Sequence, residues 1–198
     1  MSESESRPEA SDSQLLFQMC RGDERAYRAL FRRHERSSYR VALALVRSTW
    51  DAEEVVGTAF FELWRRRESV RIVEESVLPW LLTTVSYAAK NQIRGRLRYQ
   101  RLLRRVPDAG TQHDHADEVA RMVDAITLTR DVETALAALN ARDAGIVILC
   151  IVQELSYADA AVVLGVPEGT VKSRLSRVKA RLRVDLNMHA PGLEGVEA

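Results

Sequence analysis

Cysteine is scarce in this chain: Cys20 and Cys150 are the only two, and neither belongs to a CxxC pair or a Cys/His spacing that could hold a metal. Both read as reduced thiols among helix-forming residues, so a disulfide framework and a zinc site are not expected. Long apolar runs are missing as well, and nothing approaches the roughly 20 residues needed to cross a bilayer. The N-terminus, with Ser2, Glu3, Ser4, Glu5 and Ser6, is polar and acidic, unlike a signal peptide, so a cytoplasmic location is expected. Strand-like alternation and internal repeats are also lacking. No phosphate-cradling glycine loop, Ser/His/Asp arrangement or paired-carboxylate site stands out, so neither an enzyme nor a bound cofactor is expected. His113, Asp114, His115 and Asp117 lie close together, but a polar stretch of this composition reads as a solvated loop rather than a metal cluster.

What is present is helix, charge and one compact motif. At 198 residues with 46% hydrophobic content, the chain can build one or two small cores. Between Leu155 and Leu182 the sequence reads as a helix-turn-helix. Ser156 is an N-cap with Asp159 three residues on, Gly165 supplies the left-handed stop, and Pro167 pre-sets the next helix. At about 100° per residue, Val171, Leu175, Val178 and Leu182 fall on one narrow stripe that must face a core. Ser173, Ser176, Arg177 and Ala180 lie opposite, a short-chained face broken by one arginine, of the kind that fits a major groove and reaches base edges. Lys172, Arg174, Lys179 and Arg181 flank it and suit phosphates.

A net charge of +1 is low for a nucleic-acid binder until the charges are located. Residues 1–13 form a Ser/Glu-rich tail expected to be disordered. Asp23 is placed to cap a helix through about Arg47, and Asp51 with Glu54 resembles a capping box for a helix carrying Val55, Val56, Phe60, Phe61, Leu63 and Trp64. Glu68 to Ser76 fits neither period and reads as a loop. Pro79 opens another long helix with Trp80, Leu81, Leu82, Val85, Ala88, Ala89 and Ile93 on its buried side. Tyr87, Lys90, Asn91, Arg94, Arg98 and Arg101 share a face of it, a second positive stripe. From Pro107 to Thr129 the chain turns acidic, the pattern of an interdomain linker. Helices resume near Asp131, and Val132, Leu136, Leu139, Ile146, Val147, Leu149, Ile151 and Val152 supply a core for the helix-turn-helix. The expectation is all-α, with two helical domains joined by a flexible acidic linker: 14–105, linker 106–129, 130–186, and a tail over 187–198.

These stretches resemble the sigma-70 family. Asp51-Ala-Glu-Glu-Val-Val with Phe60, Phe61, Leu63 and Trp64, then Pro79-Trp-Leu-Leu-Thr-Thr-Val through Asn91, is similar to region two. Leu155-Ser-Tyr-Ala-Asp to Gly165-Val-Pro-Glu-Gly-Thr-Val-Lys-Ser-Arg-Leu is similar to region four. With a short linker and no middle domain, the chain resembles the extracytoplasmic-function (ECF) group. The resemblance implies a sigma factor that binds core RNA polymerase, through the β′ coiled coil and the β subunit, and directs it to promoter DNA. It implies that Asp51, Glu53, Glu54, Val55, Val56 and Phe60 contact the polymerase, with Phe61 and Trp64 read as internal. It implies that the Glu68 to Ser76 loop, with Lys90, Asn91, Arg94 and Arg98 beneath it, takes the minus-ten element and catches a base flipped out of the melted non-template strand. Lys172, Ser173, Ser176 and Arg177 would read the minus-thirty-five element, with Arg174 on the backbone. An anti-sigma factor is a further implied partner, and no membrane is. The sequence departs from the family at Gly57 and Thr58, where a Gln-Glu pair is usual.

Two other readings fit the residues alone: a helix-turn-helix regulator that binds DNA without polymerase, and a helical adaptor whose basic faces are merely solvated. A regulator built on a receiver would begin with alternating strands and helices around an acidic pocket, and none is visible.

Overall fold

The computed structural model describes residues 10–73, 75–103 and 138–189. Among them the regular structure is helical, joined by short turns and loops, with an isolated bridge between Val73 and Ser76. The acidic linker and the His113 to Asp117 stretch lie outside the described residues.

The first unit has four helices. α1 (Asp12–Cys20) starts earlier than the expected boundary at 14, because Ser11 and Gln14 form a reciprocal capping box that closes its first turn. α2 (Glu24–Val46) is capped by Asp23, as the sequence implies, and ends with Arg47 in the left-handed region at φ 61°. α3 (Thr49–Arg65) is capped by Ser48, which accepts from the Asp51 amide. The expected cap at Asp51 is thereby corrected: Asp51 sits one turn inside, where its charge favours the positive helix end. α4 (Leu78–Leu103) follows a loop and runs for 26 residues. The described residues of the loop expected between Glu68 and Ser76 form no helix, as anticipated.

These helices close on a core that includes Met19, Leu30, Leu43, Phe60, Leu63, Leu81 and Leu82. Phe60 is its aromatic centre, 4.7 Å from Phe31 between ring centroids and edge-on to Tyr27, which also meets Trp64 at 5.5 Å.

The second unit begins with α5 (Ala141–Val147), capped by Asn140, which passes into a π-helical turn over Ile148–Val152. α6 (Tyr157–Leu164) and α7 (Glu168–His189) complete it. Leu139, Ile146, Val147 and Leu149 enter the core as expected and Val152 packs half-buried against it, Val132 and Leu136 lie outside the described residues, and Ile151 is 45% exposed. The π turn has an extra residue per turn, which shifts the buried face, so Ile151 leaves the stripe that a regular helix would give it.

The two units touch. α5 packs on α2 at Gly145, where an added Cβ would lie 2.8 Å from Leu45 Cδ2, so glycine permits the approach. The Arg47 guanidinium donates to the Leu139 carbonyl, and α6 lies against α4.

Candidate nucleic-acid interface

The α6–α7 pair forms for the local reasons the sequence carries. Ser156 caps α6 by accepting from the Asp159 amide at 3.1 Å. Gly165, at φ 61° and ψ 47°, turns the chain out of α6, and the Pro167 carbonyl accepts from Thr170 to start α7. Val171, Leu175 and Val178 are buried and Leu182 half-buried against α5 and α6, while Ala161 is buried between the helices. That packing turns Lys172, Ser173, Ser176, Arg177 and Lys179 outward, where all are exposed. Arg177 Nε donates to the Ser173 carbonyl at 3.2 Å, which lays the guanidinium along the helix surface. Arg174 stands apart: it is half-buried and ion-paired with Asp143 of α5 at 2.9 Å.

The second positive face lies on α4. Leu81, Leu82, Val85 and Ala89 hold that helix to the core, and Tyr87, Asn91, Arg94 and Arg98 are exposed on its outer side. Lys90 is half-buried, and its ammonium donates to the Leu164 carbonyl at the end of α6, 2.6 Å away. Burial, reinforced by the neighbouring Arg94 charge, lowers its pKa from the usual lysine value.

Between α3 and α4 opens a cleft of about 590 Å³ walled by Thr58, Glu62, Arg66, Trp80, Thr83, Tyr87 and Asn91. Sequence reasoning placed Tyr87 on the basic stripe without a role, yet it stands 67% exposed at the cleft beside Asn91. An aromatic four residues before an amide on a basic face was the available signal. Glu62 pairs with Arg65 and Arg66 at the other side, at 2.7 and 2.8 Å.

The face expected to meet a protein partner needs correction. Val55, Val56 and Phe60 are 2%, 7% and 1% exposed and belong to the core, so they cannot offer apolar contact to another chain. Phe61, expected inside, is 60% exposed, and Trp64 is half-buried. The inversion arises because two adjacent aromatics differ by 100° around α3, and the packing of Tyr27 and Phe31 selects Phe60. Asp51 is half-buried and tied to α4 through Arg96 at 3.2 Å and Gln92 at 3.3 Å. Gln92 also donates to Glu54 at 2.7 Å. The outward face of α3 therefore comprises Trp50, Glu53, Glu54, Gly57, Thr58, Phe61 and Arg65, with Trp50 75% exposed.

Among the described residues, no group of His, Cys, Asp and Glu is arranged to hold a metal, and no helix is long and apolar enough to cross a membrane.

Comparison with known proteins places these faces in a family. Residues 30–99 match the family described as Sigma-70 region 2, and residues 129–182 match the one described as Sigma-70, region 4. The ECF RNA polymerase sigma factor SigM of Mycobacterium tuberculosis is 34% identical over 178 residues, covering 89% of this chain and 85% of SigM. SigL of the same organism, also an ECF RNA polymerase sigma factor, is 30% identical over 163 residues, covering 80% and 88%. Among solved structures, the sigma factor RpoE from Bartonella quintana, co-crystallised with the anti-sigma factor NepR, superposes with a TM-score of 0.55 at 26% identity over 75% of this chain and 89% of RpoE. CnrH, solved with the cytosolic domain of CnrY, shares the fold at 20% identity, with a TM-score of 0.59 over 91% of this chain and 100% of CnrH. With both regions matched in order and relatives of similar length carrying the same designation, the chain belongs to the sigma-70 family as an ECF RNA polymerase sigma factor.

Proposed function

We propose that this sigma factor binds core RNA polymerase, places it on a two-part promoter and opens the duplex, without catalysing a reaction itself. The observation that carries the reading is the pair of exposed cationic helix faces, on α4 and on α7, one in each matched region. α7 reads the minus-thirty-five element in the major groove through Lys172, Ser173, Ser176 and Arg177. Asn91, Arg94 and Arg98 of α4, together with the loop that leads into that helix, hold the minus-ten strand, and the α3–α4 cleft receives an unstacked base against Tyr87. Base–aromatic stacking contributes about 1–3 kcal/mol per base, enough to offset much of the few kcal/mol that unstacking costs. Glu53, Glu54 and Phe61 on α3 form the face for the polymerase β′ coiled coil. The units proposed for these tasks are 14–105, extended at its start to Asp12, and 130–186, working in the cytoplasm. An anti-sigma factor is a further partner, a reading supported by the RpoE–NepR complex.

Transcription in vitro with purified core polymerase on fragmented genomic DNA, followed by sequencing of the 5′ ends, tests the reading. Discrete starts that share an upstream two-part element are the expected result. No initiation with intact core, together with DNA binding by the chain alone, would replace it with a polymerase-independent regulator. Within the same assay, Tyr87→Ala should impair opening and Tyr87→Phe should not, because stacking needs only the ring.

A further inference from the structure

A buried carboxylate at the start of α1 holds the end of the loop that leads into α4. Asp12 is 4% exposed. Its Oδ1 accepts from Arg33 at 2.7 Å, and its Oδ2 accepts from His34 Nε2 at 2.7 Å, the Val77 amide at 2.9 Å and Ser76 Oγ at 3.0 Å. Ser76 Oγ in turn accepts from the Leu78 amide at 3.1 Å, so Asp12 and Ser76 together satisfy donors at the N-terminus of α4, a task helices usually give to a local cap. The next residue, Ser13, donates to Glu75 Oε2 at 3.1 Å. Glu75 has φ 60°, a left-handed backbone that side-chain-bearing residues rarely adopt, inside a turn closed by reciprocal bonds between Val73 and Ser76. Such a conformation persists only where its surroundings over-determine it. Here the surroundings are the first turn of α1, more than 60 residues away in the chain.

We infer that Asp12 is a positioning residue for promoter recognition: anchored by Arg33 and His34 of α2, it holds the Ser76–Val77 end of the loop that leads into α4 and so governs minus-ten selectivity without touching DNA. The inference rests on the proposed assignment of this loop and face to the minus-ten element. A residue needed only for folding would, when altered, depress every promoter alike. A residue that positions the loop changes discrimination among minus-ten sequences and leaves discrimination among minus-thirty-five sequences intact.

Ser76→Ala removes one donor and leaves the Asp12–Arg33–His34 cluster whole. Asp12→Asn keeps an acceptor for the Val77 amide and removes the charge. Each variant, as the full chain with core polymerase, is assayed on templates carrying single-base changes in either element, alongside far-UV circular dichroism. For both variants, the ratio between the best minus-ten element and its single-base variants should fall by about 5-fold or more, the low end of what one mismatched base pair costs. The ratio across minus-thirty-five variants should stay unchanged. Uniform loss across both series, or unchanged ratios in both variants, would overturn the inference while wild-type selectivity stands. A wild-type chain with no minus-ten preference would instead overturn the proposed function, and this inference with it.

Discussion

The ammonium of Lys90 donates to the Leu164 carbonyl at 2.6 Å, so a cation on the basic face of α4 closes the C-terminal end of the first helix of the helix-turn-helix. A helix end carries orphan carbonyls and partial negative charge, which makes it a natural seat for a lysine. In this arrangement Lys90 serves α6 rather than DNA. Promoter elements centred at minus ten and minus thirty-five lie about 25 base pairs apart, or about 85 Å at 3.4 Å per base pair, whereas α4 and α6 are in contact. Donor and acceptor dyes on α4 and α7 should therefore show high energy transfer in the free chain and low transfer in the complex with core polymerase and promoter. Lys90→Ala should lower transfer in the free chain by weakening the contact by about 1.5 kcal/mol, at the low end for a charged hydrogen bond because the lysine is only half-buried. Equal transfer in both states would show that the units do not separate.

Adjacent phenylalanines on α3 should behave as opposites. Phe60→Ala empties the centre of the first core and should cost about 3–5 kcal/mol of stability, seen as a lowered thermal midpoint. Phe61→Ala should leave stability within about 0.5 kcal/mol and weaken binding to core polymerase in a fluorescence titration, with Glu53→Lys weakening it further. A stable Phe60→Ala variant would contradict the packing, and undiminished polymerase binding by Phe61→Ala would move the docking face elsewhere.

Gly57 stands mid-helix on that same outward face, and an added Cβ would meet nothing within 4 Å. Gly57→Ala should thus stabilise the chain by about 0.5–1 kcal/mol, by helix propensity alone. If polymerase binding falls while the melting temperature rises, a partner approaches closely at this point; unchanged binding means the glycine is only a weak spot in α3.

On α7, Arg177 is exposed and Arg174 is engaged with Asp143. Arg177→Ala should relax preference among minus-thirty-five variants, by about 1–3 kcal/mol at the base it reads. Arg174→Ala should lower affinity uniformly and also reduce the stability of the second unit, by up to about 1 kcal/mol, because Asp143 loses its ion pair. Shift assays with the holoenzyme across promoter variants, paired with melts, separate the two. Identical profiles for both arginines would remove Arg177 from base readout.

Asp12 sets an acid limit on the first unit. Burial pushes its carboxyl upward, but the Val77 amide, the Arg33 guanidinium and the charge and hydrogen bond of His34 outweigh it, and the pKa lies below the ordinary carboxylate value. A folded pKa below the unfolded one, about 3.9, contributes stability that is fully present above the unfolded value and is lost as pH falls through the folded one. Melting temperature should therefore decline with acid below about pH 4, and Asp12→Asn should be less stable at neutral pH with a flatter acid limb. A wild-type acid limb no steeper than that of the variant would remove Asp12 from this role.

Periodicity and end signals made most of the elements legible. Asp23, Ser156 and Gly165 act within a few residues of themselves, so their caps and turn could be read from local chemistry. The stripe of Val171, Leu175 and Val178 follows from 3.6 residues per turn, and with it the outward placement of Lys172, Ser173, Ser176 and Arg177. What the sequence determined by itself was therefore most of the helices, though not α1 or the π turn, together with the motif and the two basic faces. Only the tertiary structure decided which of Phe60 and Phe61 is inside, that Lys90 is occupied by Leu164, that Arg174 belongs to Asp143, and that Asp12 reaches across to Val77. Each of those depends on which helix lies opposite, and a single helix bearing apolar residues on more than one side does not reveal which side its neighbour will cover.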